Sequence, residues 1–483
     1  MIATPQEKAP ARACNTEPGS QSGRHKSTAS SDRLQQAKVI DLAALEAERP
    51  QDYFHAPTET FLVRNDAGRW QPFKLVSYRR ILTARGLTSK VGKGEDLSEI
   101  DLEILRVQME NDVSRYGPLC GRNSGFYESD GSRYLVTEDM KLIQPQPGEA
   151  PTIRAVIEGL FFESESEAVG DAQLHTFLGW LKSSVEALRA GRQQQQQALA
   201  ICGVRDCGKS FVQHHIITPC LAGRAADSER YFLRGNDFNA DLFAAEHLVL
   251  DDCRASTKIT DRLAFAAKIK QHTVGSTVAS LHGKGRDAVT VRPWWRISIT
   301  CNDDPESLLV LPPLNEDFAD KMILLRASRF DFPEPITTAA EKERFEAKLR
   351  SEIPVFLDFL INQYTLPEKY MDPRRYNVAT FHHPVIKESL ESLSPEAELL
   401  ELIDLVIFDR FHDGPVWISA SDLENKILAS NHQRRAERIF TFNQSCAKYL
   451  ARLSKKLPDR VMKARTAAER GWRISPKNDG CDG

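Results

Sequence analysis

Three short, mostly apolar runs punctuate the middle of this chain, and each ends in polar groups: Ala198 to Cys202 before Gly203, His247 to Leu250 before Asp251 and Asp252, and Trp295 to Cys301 before Asn302. Such runs predict strands buried on both faces, as in a parallel sheet covered by helices. A helical stretch follows the first run and stops near Pro219. Helical periodicity also covers Glu341 to Tyr364, and Ala172 to Ala190 ahead of the first strand. A glutamine run, Gln193 to Gln197, lies between and reads as a solvated connector.

The flanks read differently. Residues 1–46, rich in Ser, Pro, Gln, Lys and Arg and poor in large apolar groups, predict a disordered tail. Over 47–150, Phe61 to Arg64 and Trp70 to Phe73 flank an Asn65-Asp66-Ala67-Gly68 turn and predict a hairpin. Helices are expected at Val76 to Arg85 and Leu97 to Met109, and a strand at Arg133 to Thr137, making a small α+β accessory domain without a catalytic constellation. After a central domain over 151–365, the Pro-, Tyr- and His-rich stretch Pro367 to Pro384 predicts a linker within 366–392. The segment 393–477 carries helices near Pro395 to Phe411, Ala420 to Ser430 and Asn443 to Leu457. With strand-like Val416 to Ile418 and Gly471 to Ile474, it fits a winged helix.

The turn after the first strand is Gly203-Val204-Arg205-Asp206-Cys207-Gly208-Lys209-Ser210, with Phe211 next in the helix. Glycines here let successive backbone N–H groups turn inward around phosphates, and the helix presents its positive end. Lys209 reaches the β and γ phosphates and the Ser210 hydroxyl takes a place on Mg²⁺. A strand before and a helix after are the context this motif requires. ATP with Mg²⁺ is therefore the expected ligand, cradled from Gly203 to Phe211.

The second strand ends in two carboxylates. Asp251 is expected in the Mg²⁺ shell with Ser210, and Asp252 beside the attacking water as the group that polarises it. At the end of the third, Asn302 can sense the γ phosphate, although Asn before the Asp303-Asp304-Pro305 turn is also ordinary turn chemistry. Together these ends place Lys209, Asp251, Asp252 and Asn302 on one edge of a parallel sheet, where ligands bind. The predicted class is α/β: a P-loop parallel-sheet core between an N-terminal α+β domain and a C-terminal winged-helix-like domain.

The order and spacing of these motifs, from Gly203 to Arg329, resemble the superfamily 3 helicases, the short AAA+ type motors of DNA viruses, phages and plasmids. Further stretches are similar to the helicase domain of deep-sea vent phage primase-polymerases and related poxvirus-type primase-helicases. They are Tyr231-Phe232-Leu233-Arg234-Gly235 with Phe238-Asn239, Leu311-Pro312-Pro313-Leu314, and Asp320 to Arg326. The resemblance covers roughly Arg154 to Ser328, with weaker similarity back to Tyr53. It implies an AAA+ type core, a homo-oligomeric ring, a hexamer in the usual case, and DNA drawn through its channel. It also implies DNA contacts between the second and third strands, here Lys268, Lys270, His282, Lys284 and Arg286. Cations on a glycine-flexed loop suit a phosphate backbone. One departure stands out: where the superfamily has an arginine pair that reaches a neighbour's nucleotide, this chain has Asp320-Lys321. Lys321, Arg326 or Arg329 is left for that task.

Composition narrows the partners. A net charge of −3 and a pI near 6.5 exclude a cationic field over the whole protein, so contact with nucleic acid is local. Between Asn431 and Lys477 there are thirteen Lys or Arg against three Asp or Glu, which marks a DNA face. Nine cysteines without a CxxC pair, two of them at the phosphate loop, argue for a reducing compartment and against a zinc site. Neighbouring histidines in His214-His215 and His382-His383 cannot both face one ion from a helix. No apolar stretch approaches the ~18 residues of a membrane span, so a soluble, cytoplasmic protein is expected.

The reading is an ATP-dependent DNA helicase or translocase serving replication of a phage or other mobile element. It acts on single-stranded and duplex DNA, with room for a separate primase or polymerase partner. Two alternatives stay open: a nucleotide-dependent DNA-binding or primase-loading ATPase without unwinding, and a P-loop ATPase that remodels protein.

Overall fold

The computed structural model describes residues 52–477, apart from 95, 130, 235–238, 254–255, 257, 274–278, 282–288, 409–413 and 466–469, so the expected tail lies outside the described residues. At the N-terminal side, β1 (Asp52–His55), β2 (Thr60–Arg64) and β3 (Trp70–Phe73) form an antiparallel sheet. The expected turn joins β2 to β3: the Gly68 N–H donates to the Asn65 carbonyl at 2.8 Å, with Gly68 at φ +75°. Helices α1 (Leu75–Ala84) and α2 (Glu99–Glu110) cover this sheet through Tyr78, Leu82, Ile100, Ile104 and Val107, all at helical spacing. A second sheet holds β4 (Arg115–Gly117), β5 (Gly125–Ser129) and β6 (Ser132–Val136). The connection from β4 to β5 fixes this part to the centre. There the Cys120 N–H donates to the Phe243 carbonyl at 2.7 Å and the Gly121 N–H to the Glu246 carboxylate at 3.0 Å.

The centre begins with α3 (Pro151–Leu160) and α4 (Glu167–Arg189) and continues into β7 (Ala198–Gly203). Next come α5 (Lys209–Val212), β8 (Ala225–Asp227), α6 (Glu229–Leu233) and β9 (His247–Asp251). Helix α5 runs on through a π-helical turn, Gln213–Ile217, to Cys220 and so stops near Pro219, as expected. After α7 (Ile259–Thr273) an antiparallel pair, β10 (Ala279–Leu281) and β11 (Val289–Val291), leads to β12 (Arg296–Cys301). The short α8 (Pro305–Leu308), β13 (Met322–Ala327) and the long α9 (Ala339–Asp358) complete this part.

Five strands pair in parallel in the order β13-β7-β12-β9-β8. Alternate residues face opposite layers. Leu199, Ile201, Ile323 and Leu325 pack under α3, α4 and α9, while Ala200, Leu248, Leu250, Ile297, Ile299 and Leu324 face the layer of Phe243, Phe265 and Phe318. Cover on both faces explains why these strands lack polar alternation.

Two expectations about connectors are overturned. Gln196 and Gln197 are buried, not solvated: their side-chain amides donate to the Trp180 carbonyl at 3.2 Å and to Thr380 Oγ1 at 2.9 Å. Pro367 to Pro384 is not a free linker either. It runs along β13, whose Leu324 N–H donates to the Phe381 carbonyl while the His383 N–H donates back to Leu324, both at 2.9 Å. An edge strand left open exposes unpaired backbone groups; the strap satisfies both groups of Leu324, and His382 Nε2 reaches the Met322 carbonyl at 3.0 Å. Its own Tyr376 and Val378 are buried.

Beyond the strap lie α10 (Pro384–Ser392), α11 (Pro395–Val406), β14 (Val416–Ile418), α12 (Ala420–Leu428), α13 (Gln433–Ile439) and α14 (Ser445–Lys456). Strands β15 (Val461–Arg465) and β16 (Arg470–Ile474) follow, in a sheet ordered β14-β16-β15. Helix α13 and strand β15 go beyond the elements expected from sequence. A separate apolar core of Leu399, Leu402, Leu423, Tyr449, Leu450 and Ile474 holds this part together. Among the described residues no helix is long and apolar enough to cross a membrane.

If the strap is part of the fold, Tyr376→Ala should cost about 3–5 kcal/mol, the range for truncating a buried large aromatic. Thermal or urea unfolding checks this; a change within a few tenths of a kcal/mol would mark a linker instead.

Candidate active site

Strand β7 delivers its C-terminal turn to the edge of the sheet, and its glycines are there for space and for backbone angle. A Cβ on Gly203 would lie 2.2 Å from the Ala327 carbonyl oxygen, and Gly208 has φ +99° with the Phe332 ring packed on it. From Gly208 the chain enters α5, so its first backbone N–H groups point at the turn.

Lys209 is buried, its ammonium donating to the carbonyls of Gly203 at 2.9 Å and Val204 at 2.7 Å and to Asn302 Oδ1 at 3.2 Å. Ser210 Oγ donates to Asp251 Oδ1 at 2.6 Å. The same carboxylate accepts from Thr300 Oγ1, and His214 Nε2 stands 3.4 Å from its other oxygen. Burial pushes the Asp251 carboxyl up, but the hydrogen bonds from His214, Ser210 and Thr300 outweigh it and hold the group down at about 2. Asp251 is therefore a carboxylate at any physiological pH. Asp252 follows in the left-handed region at φ 46°, exposed, with its N–H donating to the Thr300 carbonyl at 3.2 Å. Asp and Asn tolerate that backbone better than other non-glycine residues.

These groups open on one cleft of about 670 Å³, lined by Arg205 to Phe211, Asp251, Asp252 and Thr300 to Asn302. Phe332, Ile336 and Lys342 close its far side. Phe332 is braced by Phe330, Phe211 and Phe345 at ring distances of 4.7 to 5.8 Å. The donor set suits a triphosphate and a hard cation: backbone N–H groups and an ammonium for phosphate, a hydroxyl and carboxylates for Mg²⁺, which takes oxygen ligands. The apolar wall suits a planar base.

The expected residues divide into three groups. Lys209, Ser210, Asp251, Asp252 and Asn302 are brought together, with Arg205, Asp206, Cys207, Gly208 and Phe211 around them, while Gly203 and Val204 lie behind the cleft and supply only carbonyls to Lys209. Lys321 and Arg326 are elsewhere. Lys321 is buried in a turn ahead of β13 and paired with Asp320 of its own chain. Arg326 is held by Glu163 at 3.5 Å and Asp303 at 3.7 Å. Arg329 is exposed, and its guanidinium donates to the Arg205 carbonyl at 3.3 Å.

Of the expected DNA contacts, Lys268 and Lys270 lie on α7 and not on a loop, because Arg262, Phe265, Ala266, Ile269 and Thr273 bury one face at helical spacing. Lys270 is exposed, whereas Lys268 donates to the Tyr231 carbonyl and sits 4.6 Å above its ring. His282, Lys284 and Arg286 lie outside the described residues, between β10 and β11.

Sequence reasoning missed Thr300, His214, Phe332, Ile336 and Lys342. His214 had a signal, since it follows Ser210 by one helical turn. Thr300 had none until β12 was known to pair with β9, which sets Thr300 opposite Asp251.

Because Asn accepts the same backbone, Asp252→Asn removes a charge and little else. Turnover should fall by about 10²- to 10⁴-fold, the usual share of a positioned base, with nucleotide affinity close to wild type; single-turnover kinetics and equilibrium binding separate the two.

No family model and no curated protein matches the chain. Solved structures that align with it include the apo C-terminal region of NrS-1, at 10% identity over 90% of this chain and 98% of that one, with a TM-score of 0.48. The active helicase Cch of SCCmec type IV aligns at 11% identity over 84% of this chain and 72% of its own, TM-score 0.29. JCV helicase aligns at 13% identity over 52% of this chain and 66% of its own, TM-score 0.23. The solved structures similar to this chain thus include two helicases.

Proposed function

We propose that this chain is an ATP-dependent DNA helicase or translocase of the superfamily 3, AAA+ type, acting as a homo-oligomeric, hexameric ring in replication of a phage or other mobile element. One observation carries the nucleotide part: Lys209 bonded to Asn302 and Ser210 bonded to Asp251, at the carboxyl ends of three adjacent parallel strands. Lys209 and the α5 backbone bind and orient the phosphates, and Asn302 reports on the γ phosphate through Lys209. Ser210 and Asp251 would hold Mg²⁺, which supplies charge to the leaving phosphates. Asp252, exposed on the cleft, accepts the proton of the attacking water. Phe332 and Ile336 give the base a dry wall.

The DNA part is supported by the motif resemblance and by the β10–β11 hairpin, whose connecting residues include Lys284. The C-terminal part, with its helices and a three-stranded sheet, is read as winged-helix-like. A separate primase or polymerase would act alongside.

A second reading has its own observation. Lys321 is buried and Arg326 is pinned by carboxylates of its own subunit, which leaves Arg329 as the exposed cation of the three. A site without a neighbour's cation hydrolyses slowly, since such a residue stabilises charge growing on the γ phosphate. The chain would then be a nucleotide-dependent DNA-binding or primase-loading ATPase.

Steady-state ATP hydrolysis with and without single-stranded DNA tests both. A translocase shows strong stimulation, lost by about 10²-fold or more in Lys209→Ala, as when one preorganised cation is removed. Tight nucleotide and DNA binding with little turnover favours the loading module, and turnover indifferent to DNA favours a protein-remodelling ATPase. Lys284→Ala should lower the stimulated rate severalfold relative to the DNA-free rate; equal stimulation removes the hairpin from the DNA path.

A further inference from the structure

The cations between Asn431 and Lys477 are not equally available. On α14, Arg452 pairs with Glu396 at 2.7 Å, Lys455 with Glu316 at 2.9 Å and Lys456 with Glu391 at 3.4 Å. The Lys455 and Lys456 pairs are exposed, contribute little and would yield to phosphate, whereas Glu396 is buried. Space is the stronger obstacle: Arg452 and Lys456 face Pro313 to Asp317 and Lys387 across a cleft of about 280 Å³, so that flank of α14 looks at the body of the protein.

The outer face of the β14-β16-β15 sheet is open instead. Trp417, Arg473 and Met462 stand opposite one another across the three strands. Trp417 is 36% exposed, Met462 54%, and Arg473 is exposed with no ion-pair partner among the described residues. Gly471, diagonal to Trp417 on the same face, makes this possible. A Cβ there would lie 2.4 Å from Trp417 Cζ2, so the indole rests on bare backbone and keeps its other side toward solvent. Arg465 and Arg470, exposed at the end of the same hairpin, alternate onto the opposite face and add only to the local positive charge.

The geometry points to this face as a stacking platform for single-stranded DNA, with a base on Trp417 and the adjoining phosphate beside Arg473. An indole open on one side offers a π surface that every base can use, and arginines track the backbone without reading sequence. A duplex keeps its bases stacked inside and has nothing to offer the indole. The complementarity of charge selects nucleic acid over a second copy of this chain, whose cations would meet cations. The platform rests on the DNA-binding part of the function proposed above and adds a place where the strand is held outside the channel.

Fluorescence anisotropy of labelled oligo(dT) with the full chain tests it. Trp417→Ala should weaken binding about tenfold, as expected for losing one base stack, while Trp417→Phe retains most of it. Arg473→Glu should weaken binding and reduce the log–log salt slope by about 0.7 for each phosphate that is no longer neutralised. Thermal unfolding reports on folding, and Arg473→Glu decides alone if Trp417→Ala is unstable. Wild-type affinity in both Trp417→Ala and Arg473→Glu, equal loss in Trp417→Phe and Trp417→Ala, or tighter binding of the same sequence as duplex overturns the platform. So does a change of assembly state by light scattering with affinity per subunit unchanged, which would mark an interface between copies. A wild-type chain that binds no DNA overturns the proposed function and the platform together, whereas binding that survives these substitutions overturns the platform alone.

Discussion

The insertion of β12 between β7 and β9 is the constraint on which the rest depends. Parallel pairing on both sides sets Cys301 beside Cys202 and Thr300 beside Asp251, so Asn302 emerges next to the turn that holds Lys209. Without that order the lysine, the amide and the carboxylate would sit on strands too far apart to share hydrogen bonds. With it, one cleft has an ammonium at one end and a carboxylate pair at the other, joined by Ser210. The Asp251 carboxyl illustrates the consequence: burial alone would raise it, and three donors supplied by α5 and β12 hold it low.

The far side of the sheet is secured by a different kind of interaction. Arg326 reaches over the end of β7 to Asp303, just past Asn302, and its other partner, Glu163, also receives His383 at 3.0 Å. Burial lowers the pKa of His383, while Glu163 works against it. A cluster of this sort adds little net stability, because desolvation offsets the attraction, yet removing one member leaves charge stranded in the interior. Its position is what counts: it ties the turn after Asn302 to the strap along β13 and so to the start of α10. These four side chains thus connect the end of β12 at the cleft with the start of α10.

Much of this is legible in the chain itself. The hairpin at Asn65 to Gly68, the three apolar strands and the polar ends they carry depend on interactions within a few residues, and local patterns record such interactions well. Helix α7 is harder to read, and its Lys268 and Lys270 look like loop residues in sequence, because the apolar period there is diluted by Arg262 and Thr273, which are buried only in the folded state. The strap misleads for a related reason. Proline and tyrosine density signals irregular backbone, and the structure agrees that it is irregular; what composition does not record is that this backbone bonds to an edge strand.

By itself, the sequence determined the motif chemistry: a glycine turn closed by Lys209 and Ser210, a strand ending in Asp251 and Asp252, and a strand ending in Asn302. These follow from side-chain type and spacing along the chain. Only the tertiary structure decided which of the remaining cations are open to solvent. Lys321, Arg326, Lys268 and the three basic residues near the end of α14 carry the same charge in sequence as Arg329 and Arg473. The first group is nonetheless buried or taken up by partners, most of them far away in the chain. The physical reason is that solvent access and pairing belong to surfaces assembled from distant segments, so no local pattern distinguishes an arginine held by a remote glutamate from one that faces water.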